Sequence, residues 1–290
     1  MRAVYTKWRS ALRRAWADFV WAAWLGWQID SNWTDPWLFA VYSIIKPVSS
    51  SLILVVMFLV AGRLRDSASL SYIFVGNAFF IYVSQVLLGV SWTVYVDREE
   101  YRTLKYVYLG ASRIITYLLG RAFANFGIAT MSVAVLVAFG RLALRMPLGV
   151  YGGRGLYGLV VLVLGIAAAA ALGLGLAGIM LVTANHGSII SESLAGLLYL
   201  LAGVVFPIDV LPSWMQKISL WVPFTYWTEG LRRVLVGTSI SQSMARFSDA
   251  AILAHLAVQT VAAVVLGLFV YAVSERVMRY RGLIDMLTEH

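Results

Sequence analysis

Residues 155–191 form thirty-seven consecutive positions without a charged side chain. A charged residue at the centre of a bilayer costs about 2.5–3.5 kcal/mol on insertion scales. Crossing the hydrocarbon core takes about 20 apolar residues in a helix. The run is therefore too long for one span and slightly short for two. The cluster Thr183-Ala184-Asn185-His186-Gly187-Ser188 carries a turn signal that divides it. Residues 67–96 form a second uncharged run. Composition agrees: 61% of residues are hydrophobic and 13% charged, against about 45–50% and about 25% in soluble domains. A soluble fold of this size cannot bury that much apolar surface, and an intrinsically disordered chain would carry far less of it. An integral membrane protein remains. There is no cysteine, which excludes disulfides, thiolate metal sites and a cysteine nucleophile.

Charges mark the limits of six expected spans, at about 37–62, 67–96, 114–140, 155–182, 189–206 and 250–274. In the first, Lys46 snorkels to one interface and Pro47 is expected to kink the helix. Six spans place both termini on one side. If that side is the cytoplasm, its segments hold twelve basic residues and the outer loops nine, a small bias toward N-in and C-in. The net charge of +9 is spread over both sides, and no nucleic-acid partner is expected. The amino terminus is not a signal peptide, because Arg9, Arg13, Arg14 and Asp18 interrupt any early apolar core. It is expected to remain in the mature protein.

Three segments do not read as spans. Residues 1–36 are rich in tryptophan, and Trp8, Leu12, Ala15, Phe19, Ala23 and Trp27 share one helical face. An amphipathic helix along the cytoplasmic leaflet is expected. Residues 97–112 hold the densest cluster of charge, and Leu104, Val107 and Tyr108 fall on one face of a short helix. Such a helix outside the membrane suits either a docked soluble partner or a solvated connection. Residues 207–236 are apolar but interrupted by Pro207, Pro212 and Pro223. Broken backbone survives in lipid only when it packs on protein or lines a cavity. Two short half-helices are expected there, about 211–221 and 224–236, as an outer gate or a closing hairpin. Trp214, Trp221, Tyr226 and Trp227 suit interfacial depth, and Glu229 can pair with Arg232 or Arg233 on its own helix.

Span four carries Gly165, Ala169, Gly173 and Ala177 at every fourth position, with Gly175 and Gly178. Small residues so spaced allow close helix approach, within one chain or between two. Tyr72, Phe74, Phe79, Phe80 and Tyr82 along span two suit a transport pathway or the core. No phosphate-binding G-x-x-x-x-G-K-[ST] loop occurs. His186 and His255 stand apart from acids and from each other. Carboxylates are scarce within the spans; Glu192 is placed near an end. That scarcity argues against an ion-coupled carrier, and the absence of clustered Ser, His and Asp argues against a lipid-modifying enzyme. A non-transporting scaffold is a further alternative.

Two stretches resemble one family. Glu100-Tyr101-Arg102-Thr103-Leu104-Lys105-Tyr106 resembles the E-x-x-T-L pattern of the cytoplasmic coupling helix in ABC-2 type ABC transporter permeases. A proline common a few residues later in that family is replaced here, at the matching place, by Ala111. Phe206-Pro207, Leu211-Pro212-x-Trp214, Pro223-Phe224-Thr225-Tyr226, Glu229 and Arg232 resemble the pattern around that family's outer re-entrant helices, with Val222 where many members have Asn. The resemblance implies an all-α integral membrane protein of six transmembrane helices, with an interface helix at 1–36 and a transmembrane domain at 37–290. It implies a multi-pass protein of a prokaryotic cytoplasmic membrane. Two permease copies, as homodimer or paralogous heterodimer, would pair with two separate ATPase subunits. ATP and Mg would be bound by those subunits, with no cofactor and no catalytic residue on this chain. Glu100, Tyr101, Thr103, Leu104 and Tyr106 would contact the ATPase. Phe206, Pro207, Pro212, Trp214, Pro223, Tyr226, Glu229 and Arg232 would shape the outer gate. The implied cargo is a lipid, glycolipid, polysaccharide or hydrophobic drug, exported by ATP-driven alternating access.

Overall fold

The computed structural model describes residues 2–32, 35–60, 67–110, 114–183 and 187–282. The expectations placed on Ala111, Arg113, His186 and the last eight residues lie outside them, as do the side chains of Trp8, Leu12 and Lys46. Among the described residues every regular element is helical. The order is α1 (Arg2–Asn32), α2 (Pro36–Val60), α3 (Ser67–Tyr95), α4 (Leu104–Gly110), α5 (Ile114–Leu142), α6 (Gly155–Val182), α7 (Gly187–Leu201), α8 (Ser213–Ser219), α9 (Pro223–Leu235), α10 (Gln242–Ala245) and α11 (Asp249–Arg281). Four helical stretches are long and apolar enough to cross a membrane: Ser69–Glu100, Ile114–Leu142, Gly155–Val182 and Asp249–Arg281. In α2 and α7 the apolar stretches are shorter, Pro47–Met57 and Ile189–Leu201. The helix of α2 runs without a break through Pro47.

α6 lies at the centre, against α3, α9 and α11. Its small residues face several neighbours at once. A Cβ on Gly165 would meet the Trp227 ring at 2.1 Å, one on Gly173 the Leu87 carbonyl at 2.8 Å, and one on Gly178 the Tyr271 backbone at 2.7 Å. Gly175 lies against Gly267 of α11. The small-residue pattern is therefore used for packing inside the chain. Tyr72, Phe74, Phe80 and Tyr82 are buried and Phe79 half-buried, so these aromatics belong to the core.

α1 docks on α5 by a reciprocal contact of small residues. Gly120 meets Ala22, and one turn later in both helices Ala124 meets Gly26. The matching four-residue steps mean that the two helices run side by side in the same direction here. Phe19, Ala23 and Trp27, on the expected apolar face, are half-buried, whereas Trp16, Trp21 and Trp24 point outward at 68%, 67% and 54% exposure.

Two expected boundaries are corrected. Residues 97–112 are not one helix. α3 continues through a π turn at Val96–Glu100, the chain then turns at Arg102 with φ of 53°, and α4 begins at Leu104. The charges do not end α3, because they are satisfied inside the protein. Arg98 pairs with Glu99 at 2.8 Å and donates to the Met180 carbonyl in the last turn of α6 at 2.9 Å. The Tyr117 hydroxyl donates to Asp97 at 2.8 Å. Asp97 and Arg98 are only 2% and 6% exposed. Likewise, the helix of span five stops at Leu201 and not at 206. Gly203 has a φ of 63°, a conformation that glycine adopts without a Cβ clash and that commonly ends helices. The break after α6 falls at Thr183, which is already extended.

Candidate functional site

The first candidate region is the α3–α4 connection. Thr103 is half-buried, and its amide donates to the Asp97 carbonyl at 2.7 Å. Leu104 is 3% exposed and belongs to the core, with Val107 and Tyr108 packed beside it. This is the i, i+3, i+4 face read from the sequence. The opposite face is open: Glu100 is exposed, Tyr101 is 48%, Tyr106 64% and Leu109 84% exposed. Of the five residues expected to contact a partner, Leu104 therefore faces inward and cannot touch one. Leu109, which sequence reading did not single out, faces outward. The Lys105 ammonium lies 5.4 Å from the centre of the Tyr106 ring. On the inner face α4 meets the end of α11. The Arg279 guanidinium stands 5.7 Å over the Tyr108 ring and pairs with Glu275 at 2.6 Å. Burial pushes the Tyr108 hydroxyl up to about 12.

The second region is the proline-broken segment. The expected half-helices correspond to α8 and α9. Pro223 occupies the first turn of α9, where its missing N–H costs nothing. Val222 precedes it in an extended conformation. α8 presents Trp214 to the outside at 62% exposure, and Trp221 beyond it is 82% exposed. Pro212 is exposed, and Phe206 and Pro207 are half-buried. Tyr226 and Trp227 are buried within the chain, at 2% and 0% exposure. Trp227 sits in the notch left by Gly165. Tyr226 stacks on His255 at 5.1 Å, which makes His255 a packing residue.

Two adjacent arginines of α9 organise this region. Arg232 does not pair with Glu229. Its Nε donates to the Tyr72 carbonyl at 3.0 Å, and its Nη2 donates to the carbonyls of Gly203 and Val204 at 2.9 and 2.7 Å. Its guanidinium lies 3.6 Å from the centre of the Tyr72 ring, a close cation–π contact. The space exists because residue 76 is glycine: a Cβ there would lie 2.1 Å from Arg232 Nη2. Arg232 thus ties α3 to the turn that follows α7, while the carbonyls of Leu201 and Ala202 accept from the Thr225 and Thr228 hydroxyls. Arg233 is the partner of Glu229, at 3.2 Å. It also pairs with Asp249 at 3.0 Å and donates to the carbonyls of Phe247 and Met244 at 2.8 and 2.7 Å. Arg154, before α6, pairs with Asp249 at 3.0 Å. One arginine thus binds α9 to α3 and the end of α7, and its neighbour binds α9 to the start of α11.

Nearby, Asp209 accepts hydrogen bonds from the Ser243 hydroxyl and amide. Burial alone would raise its carboxyl, but the bonds from Ser243 and Ser241 outweigh burial and hold it below the usual carboxylate range. Arg233, Asp249 and Arg154 were absent from the expected gate set. The only sequence signal for Arg233 was its i+4 spacing from Glu229.

These features define a multi-pass, all-α membrane protein with an exposed short helix at one loop and a buried arginine hub at another. The family model for ABC-2 type transporters matches residues 19–236, from the middle of α1 to the end of α9. The chain belongs to the ABC-2 type transporter family, as a membrane subunit of an ABC-type transporter. Permeases of this family typically work with an ATPase subunit. No curated protein matches the chain.

Proposed function

We propose that the chain is the transmembrane subunit of an ATP-driven exporter, and that its ATPase docks on the open face of α4. The observation that carries this reading is the two-sidedness of α4. Leu104 is held in the core while Tyr106 and Leu109, within one and a half turns, are 64% and 84% exposed. A helix of seven residues cannot persist alone in water. This one is anchored rigidly and keeps large apolar groups on its free side, as a docking surface requires. Two ATPase subunits would bind ATP and Mg and drive two permease copies between inward- and outward-open states. In this reading α2 and α7 complete six spans with the four long helical stretches. Both termini face the cytoplasm of a prokaryotic cell, and the segment from Phe206 to Leu235 forms the outer gate. The outer-gate assignment rests on the hub around Arg232 and Arg233, which ties α9 to three other helices. The cargo class is a lipid, glycolipid, polysaccharide or hydrophobic drug.

The test is reconstitution of the permease with the ATPase encoded beside it. Nucleotide hydrolysis stimulated by a candidate cargo, and transport in liposomes without an ion gradient, are the expected results. Transport driven by an ion gradient in the absence of nucleotide would refute the reading.

A further inference from the structure

α4 is fastened inside the protein at more than one point. Besides Leu104 in the core, Tyr108 turns toward the last turns of α11. Its buried hydroxyl adjoins the buried hydroxyl of Tyr271, and the Arg279 guanidinium stands 5.7 Å from the centre of its ring. Glu275 holds Arg279 there at 2.6 Å. Tyr271 is 0% exposed, and its backbone lies against Gly178 of α6. The contact from α4 therefore lands where α11 and α6 meet backbone to backbone.

That seam continues along both helices. Gly267 sits against Ala171, where a Cβ would lie 2.0 Å from the carbonyl oxygen, and Gly175 faces Gly267. Further on, the Thr260 hydroxyl donates to the Leu164 carbonyl at 3.3 Å. At the far end Arg154, just before α6, pairs with Asp249 at the start of α11. A seam closed by backbone leaves little room for one helix to slide on the other. From Gly155 to Gly178 the pair spans about 35 Å at 1.5 Å per residue. α9 is seated on its far end. Trp227 fills the notch at Gly165, Val234 lies against Gly158, and Arg233 pairs with Asp249.

We infer that α6 and α11 act as one rigid lever that carries displacement of α4 to α9, with Tyr108 and Arg279 as the positioning residues at its near end. A partner that pushes on α4 presses Tyr108 onto Tyr271. The joined helices move together, and α9 follows because it is fastened to both. This inference rests on the docking of the ATPase at α4 and adds the route by which its motion reaches the proline-broken segment.

The test uses the permease with its ATPase in lipid nanodiscs, with and without trapping by ATP and vanadate. Backbone hydrogen exchange, which reports local opening, is the readout. Trapping should alter exchange in α4, in 271–281 and in 223–235 of the unaltered complex. Tyr108→Ala should retain the ATPase and the response of α4, while the response of 223–235 falls at least about threefold. Tyr108→Phe, which keeps the ring, should restore it. Arg279→Ala, at a side chain 62% exposed, should give a smaller loss and carries the test if Tyr108→Ala does not fold. The chain has no cysteine, so Gly175→Cys with Val270→Cys supplies a unique pair. A Cβ at 175 lies 3.9 Å from that of Val270, within disulfide range. Closing that disulfide should leave the response of α9 intact. An undiminished α9 response in the folded variants, or its loss on closing the disulfide, would overturn the lever and leave docking standing. No response of α4 in the unaltered complex would refute docking, and the lever with it.

Discussion

The two polar regions are built on opposite plans. At the hub Arg232 and Arg233 are turned inward and matched to named carbonyls and carboxylates, and α9 is buried from Pro223 to Val234. At α4 only one face is fixed, by Leu104, while Tyr101, Tyr106 and Leu109 stay open. A segment satisfied on all sides within its own chain is suited to hold shape. A segment satisfied on one side is suited to receive another molecule. Substitutions should therefore cost stability at the hub and association at α4.

The largest stability effect is expected from Arg232→Leu. It removes the donors to three buried carbonyls and the cation over Tyr72. A buried acceptor left without its donor costs about 1–3 kcal/mol and three are orphaned here, so the purified variant should unfold at far lower temperature or fail to accumulate. Gly76→Ala comes next. Its methyl group would collide with Arg232 Nη2, and overpacking costs about 1–3 kcal/mol. Ser243→Ala should cost about 1 kcal/mol, the net value of a typical hydrogen bond. Because the Asp209 carboxyl is held below its ordinary value, its contribution is complete above the unfolded carboxylate value, about pH 4. It is lost as pH falls through the lower folded value. The gap in unfolding midpoint between Ser243→Ala and the unaltered protein should therefore be full at pH 7 and shrink on acidification below about pH 4. Tyr106→Asp and Leu109→Asp, at open positions, should change stability by less than about 0.5 kcal/mol. An unfolding series that ranks these substitutions in another order would break the contrast.

What could be read from the residues was whatever local chemistry dictates. Pro212 and Pro223 punctuate the chain where α8 and α9 begin, because proline cannot continue a helix interior but fits its first turn. Leu104, Val107 and Tyr108 announce their face by spacing alone. What could not be read depends on partners far away in sequence. The carbonyl that receives Arg98 is that of Met180, and Arg232 reaches back to Tyr72. Without those partners a cluster such as Asp97-Arg98-Glu99 looks like the end of a span, when it is a buried continuation of one. The same limit hid the choice between Arg232 and Arg233 as partner of Glu229. The E-x-x-T-L motif, by contrast, states which residues matter and not which way they point, and it was the apolar spacing and not the motif that gave the inward turn of Leu104. The Gly120–Ala124 step was hidden as the arginine pairing was, because its complement, Ala22 and Gly26, lies on another helix.

The central claim is that the open face of α4 receives the ATPase, and co-purification tests it most directly. The permease carrying both Tyr106→Asp and Leu109→Asp would be expressed with its ATPase and captured by an affinity tag. The account predicts a normally inserted, monodisperse permease that no longer retains the ATPase, while the unaltered chain does. Full retention of the ATPase by the doubly substituted permease would contradict it.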